Sequence, residues 1–86
     1  MMIPTIHLNG TSRERLLEAI VEANNALIRA QQAVAETAPN ARDYPQGYDA
    51  LRKAQNEHWA RMQKLIEVRQ ELEDIAEAIC DQGARR

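Results

Sequence analysis

Eighty-six residues, with three glycines, three prolines and no phenylalanine, leave room for one domain of helical composition. A formal charge of −2 argues against a dedicated nucleic-acid binder, which would carry a basic excess, and the lone Cys80 excludes an internal disulfide and fits a reducing cytoplasm. No apolar run approaches the ~20 residues that span a bilayer, and the N-terminus lacks the apolar region of a signal peptide, so a soluble intracellular protein with no membrane contact is expected.

Met1 to Thr11 hold β-branched residues, Pro4 and Asn9-Gly10, which predicts an extended arm ending in a turn. Thr11-Ser12-Arg13-Glu14 has the form of a capping box, with the Thr11 hydroxyl as cap, and opens a helix predicted over 12–38. Pro39 stops it, because the residue before a proline disfavours helix. The loop 39–47 is longer than a helix–helix turn requires. A second helix is predicted over 48–82, with Gly83 as its stop and 83–86 as a frayed tail.

The whole reads as an all-α chain, an antiparallel two-helix hairpin with a short N-terminal arm. Each apolar stripe has only one partner, and small chains of this kind need association, so a homo-oligomeric helical bundle is expected, a dimer at simplest. In an antiparallel hairpin whose facing positions sum to about 86, Gln31 should face Gln55, Leu27 and Ile28 should face His58, Asn24 should face Met62, and Leu17 should face Arg69. Arg69 would then snorkel or pair with Glu18 or Glu22, and helix 2 would overhang at its C-terminal end, where Ile3, Ile6 and Leu8 would cover Ile75 and Ile79.

The inward lines are not purely apolar. Leu17, Asn24, Gln31 and Ala38 fall seven apart on the first helix, and Leu51, His58, Leu65, Leu72 and Ile79 on the second. An unpartnered buried amide or imidazole costs roughly 1–3 kcal/mol, so each needs another side chain, another subunit or a ligand. Charge is uneven as well. Residues 39–70 carry six bases against four acids, and 71–82 carry five acids and no base.

Asn24, Gln31, Arg42, Tyr44, Tyr48, Gln55, His58, Trp59 and Arg61 gather toward the loop end as a candidate pocket for a small anionic, base-containing ligand. Arginine grips phosphate, aromatic faces stack on a planar ring, and amides read hydrogen-bonding edges. The structural alternative is that Asn24, Gln31, Gln55 and His58 bond one another and set the register, as polar core positions do in coiled coils. His7, Asn9 and Thr11 could complete the pocket from a neighbouring copy. The amides of Asn9-Gly10-Thr11-Ser12, with Arg13 and Arg15 nearby, could hold a phosphate or form an ordinary cap.

No HxxxH, CxxC or ExxH spacing is present, and no nucleophile–base set can be assembled. Neither a metal, a cofactor nor enzymatic turnover is expected.

Thr5-Ile6-His7-Leu8-Asn9-Gly10-Thr11-Ser12, then Ala38-Pro39-Asn40-Ala41-Arg42-Asp43-Tyr44-Pro45-Gln46-Gly47, then Glu57-His58-Trp59-Ala60-Arg61 form a pattern. It resembles a group of short, uncharacterised proteins of tailed phages and prophages of proteobacteria, over nearly the whole chain. By analogy of size, origin and architecture, the resemblance implies an anti-defence role. The protein would sequester a nucleotide-derived immune signal, without turnover, in the cytoplasm of the infected bacterium. Arg42 and Arg61 would hold phosphate, Tyr44, Tyr48 or Trp59 would stack the base, and His58, Asn24 and Gln31 would read polar edges. The alternative is a small helical adaptor or structural phage protein acting by protein contact. DNA binding comes third, against the acidic balance.

Overall fold

The structure, a computed structural model, describes residues 1–84. Among them are two helices, α1 (Arg13–Ala35) and α2 (Tyr48–Ala84), one short 3-10 turn (Ala41–Asp43) and no strand. Arg85 and Arg86, the end of the expected tail, lie outside the described residues.

Ser12 caps α1, one residue later than the capping-box reading placed the cap. Its backbone is extended, its hydroxyl oxygen accepts the Arg15 amide at 3.2 Å, and its carbonyl accepts the Leu16 amide at 3.1 Å. Glu14 then lies in the first turn, where a carboxylate meets the positive helix end. The helix closes three residues before the expected limit at Ala38. The amides of Glu36, Thr37 and Ala38 turn to carbonyls three residues back, and the Thr37 hydroxyl donates to the Val34 carbonyl at 2.6 Å. Both interactions tighten the chain ahead of Pro39 and consume the carbonyls a further helical turn would need.

Gly47 opens α2. Its φ of 124° is a conformation that L side chains rarely adopt, and its carbonyl accepts the Leu51 amide. At the other end α2 runs through Gly83 to Ala84, so Gly83 does not stop it. A glycine inside a helix costs only about 1 kcal/mol, and it ends one only when the chain takes up the left-handed turn beyond it.

The arm is fastened by one side chain. Gln82 accepts the Ile6 amide at 2.9 Å on its oxygen and donates to the Pro4 carbonyl at 2.6 Å from its nitrogen. One turn earlier lies Ile79, the only fully buried residue among those described, with Ile3 and Ile6 half-buried. Leu8 does not join that cover, being 98% exposed. It lies in the turn that returns the chain toward α1, where the Gly10 amide donates to the His7 carbonyl and the His7 ring lies over Gly10.

The register differs most from expectation. Arg69 donates from Nη1 to Gln31 Oε1 at 2.7 Å and from Nε to Asn24 Oδ1 at 3.3 Å. It therefore sits level with the middle of the Asn24–Gln31 segment and is not partnered by Glu18 or Glu22. The two amides that were to face Gln55 and Met62 face Arg69 instead, roughly ten residues further along α2, or about 15 Å. The loop explains the offset. Ala38 and Pro39 lie beside His58, Trp59 and Met62, so residues 39–47 travel back along the helix before Tyr48 begins it. The overhang is at the loop end, where the opening turns of α2 are flanked by loop and not by α1. The result is elongated, 61 × 20 × 18 Å, with a radius of gyration of 18.8 Å; close packing of this length gives about 12 Å.

Candidate functional site

The offset leaves an open groove of about 650 Å³ between the end of α1 and the exposed start of α2. Ala38 and Pro39 form one wall. Tyr48, Arg52, Gln55, Asn56, His58, Trp59 and Met62 form the other, on the flank of α2 that helical spacing at three, four and seven residues turns toward them. The aromatic residues are available to a ligand: Tyr48 is 69% exposed and Trp59 67%. Arg52 brings the one cation of this lining, and Gln55 and Asn56 bring amides that can donate and accept.

His58 is half-buried, and its Nδ1 atom is shielded from solvent with no hydrogen-bond partner among the described residues. Such an atom loses hydration without recompense, at a cost of about 1–3 kcal/mol where burial is complete. Solvent is excluded from that atom, so an incoming group would bond it only after the imidazole turned toward the groove.

Of the residues singled out from the sequence, Tyr48, Gln55, His58 and Trp59 come together here. Asn24 and Gln31 do not join them, because Arg69 takes both side-chain oxygens. Arg42, Tyr44 and Arg61 are not in the lining. The Arg42 amide donates to the Asn40 side chain, and the Tyr44 carbonyl accepts the Gly47 amide, so both residues shape the return of the loop. His7, Asn9 and Thr11 lie at the opposite end of the molecule. Roughly 36 Å of helix separates Gln82, which holds the arm, from His58, so they could reach the groove only from another copy.

Arg52, Asn56 and Met62 were not singled out for this pocket, nor was the Ala38-Pro39 wall. Arg52 and Asn56 stand seven and three residues before Trp59, and that spacing is the available signal. The wall had none, since it depends on where the loop runs. Among the described residues no three histidine, cysteine or carboxylate side chains come together as a metal site, and no helix is long and apolar enough to cross a membrane.

No protein-family model, curated protein or solved structure matches this chain.

Proposed function

We propose that this chain is a non-catalytic binding protein that captures a planar anionic ligand of the nucleotide class in the groove of Pro39, Arg52, His58 and Trp59. It works as a homo-oligomer of antiparallel helical hairpins. The observation that carries the reading is the groove lining, in which two exposed aromatic rings stand with one guanidinium and two side-chain amides. A base stacks on Trp59 or Tyr48, its polar edge meets His58, Gln55 or Asn56, and Arg52 takes the phosphate through its fork. The reading shifts phosphate binding from Arg42 and Arg61 to Arg52. The lining offers no carboxylate or thiol to act beside the imidazole, which favours capture over turnover. The antiparallel arrangement is supported by the order of contacts: Ile6 meets Gln82, Asn24 and Gln31 meet Arg69, and Pro39 lies beside His58. Sequestration of an immune messenger during phage infection is the biological form of this proposal, and it rests on the resemblance described above.

The test is native mass spectrometry of the full chain with cyclic di- and trinucleotides and ADP-ribose derivatives. A discrete added mass, lost in Arg52→Ala and Trp59→Ala while helicity by circular dichroism is kept, is the expected result. No added mass across the panel overturns it. The exposure of Tyr48 and Trp59 also favours a second reading, an adaptor that docks on another protein. In that case nucleotides add nothing, and Trp59→Ala removes a protein partner.

A further inference from the structure

The chain exposes 6838 Å², whereas a compact monomer of its mass exposes about 5,200 Å². The excess, roughly 1,600 Å², is about twice what one partner buries in a standard stable interface. One fully buried residue among those described is a correspondingly small core. The exposed apolar side chains show where the missing cover belongs. Val21 is 57% exposed and Ile66 38%.

Val21 stands three residues before Asn24, and Ile66 three before Arg69, the two residues bonded across the helix pair. Each is thus turned by about 60° in the same screw sense from the line of contact. In an antiparallel pair, equal rotations of this kind point to the same side of the hairpin. Trp59, seven residues before Ile66, lies on the same line but beyond the end of α1, in the groove described above and outside the proposed cover. On α1 the same side holds a second open groove, about 670 Å³, in which Leu17 and Val21 lie between Glu14, Glu18 and Glu22. Val68 is an exposed apolar residue on the other flank of α2, and it stands between Lys64 and Glu71.

We infer that a second copy of this chain covers the Val21–Ile66 face, so that two hairpins stack into a four-helix bundle. This rests on the homo-oligomer of the reading above and is independent of its ligand. A second copy is the occupant that the area favours. Each chain carries the same excess, and a self-complementary face removes it from both copies at once. Face-to-face stacking also supplies each helix stripe with the second neighbour that a lone hairpin lacks.

The experiment is sedimentation equilibrium of the full chain without ligand, with thermal melts at several protein concentrations. The wild type is expected to sediment as a dimer with a midpoint that rises with concentration. Val21→Glu and Ile66→Glu are expected to weaken association at least about tenfold. Lys64→Glu, two residues from Ile66 and turned away from this face, is expected to leave it unchanged. Should the glutamate variants lose their fold, the concentration dependence of the wild-type melt decides the matter. A monomeric wild type with a concentration-independent midpoint overturns the inference, as do glutamate variants that dimerise like the wild type. A nucleotide adding mass to a monomer would sink the dimer and leave ligand capture standing; a dimer that binds no nucleotide would do the reverse.

Discussion

Arg69 carries a prediction that separates a polar layer built for stability from one built for register. Its guanidinium bonds two amide oxygens, one of them at 2.7 Å, and all three side chains are half-buried. Arg69→Met keeps the apolar stem and removes both donors, leaving Asn24 Oδ1 and Gln31 Oε1 against an apolar neighbour. With partial solvent access the loss is about 1–2 kcal/mol, and at 4–8 °C per kcal/mol for a chain this size the midpoint falls by about 4–16 °C. Replacing the whole set, Asn24→Leu with Gln31→Met and Arg69→Leu, removes the unsatisfied groups along with their partner. That variant should match or exceed the wild type in stability, while losing the device that selects one alignment of the helices. The assay is thermal melting by circular dichroism at one fixed protein concentration, since association would shift every midpoint. A single variant that melts like the wild type, or a triple variant less stable than Arg69→Met, would refute the reasoning.

Ile79 is the fully buried side chain, so Ile79→Ala should destabilise the fold by about 2–4 kcal/mol in urea titrations; a loss under about 1 kcal/mol would show that the arm and helices close over the gap. Gln82→Leu should release the arm with little change in helicity. Amide exchange at Ile6 is expected to accelerate by about tenfold or more, and unchanged protection there would mean that something other than Gln82 holds the arm.

Much of the local structure was legible in the residues. The start of α1 at the Thr11-Ser12-Arg13-Glu14 segment, its end ahead of Pro39 and the opening of α2 at Gly47 follow from capping chemistry, the proline restriction and one permissive φ. These effects act over three or four residues, and one sequence contains them whole. Their errors were also local, a cap displaced by one residue and a helix closed early by the Thr37 hydroxyl. The arm residues Ile3 and Ile6 were expected to lie over the end of α2. The bonds from Gln82 to Pro4 and Ile6 place them there, and Leu8 turns away.

The alignment of α1 on α2 lay outside what local rules could reach. Heptad spacing repeats every seven residues and tolerates several registers of nearly equal apolar contact. Pairing the two predicted helices end to end is one of them, and it puts Gln31 opposite Gln55. In the folded chain Arg69 reaches Asn24 and Gln31, and the nine residues from Pro39 to Gly47 run back along α2. That single choice divides the polar side chains into two groups. Asn24 and Gln31 are satisfied internally, and His58 is left with Arg52 and Trp59 in an open groove. By itself, the sequence determined that the chain is two helices with polar residues on their inner stripes, because helix formation is governed by neighbours. Which of those residues bond one another across the helices, and which lie in an open groove, only the tertiary structure decided, because that depends on where a long loop returns the chain.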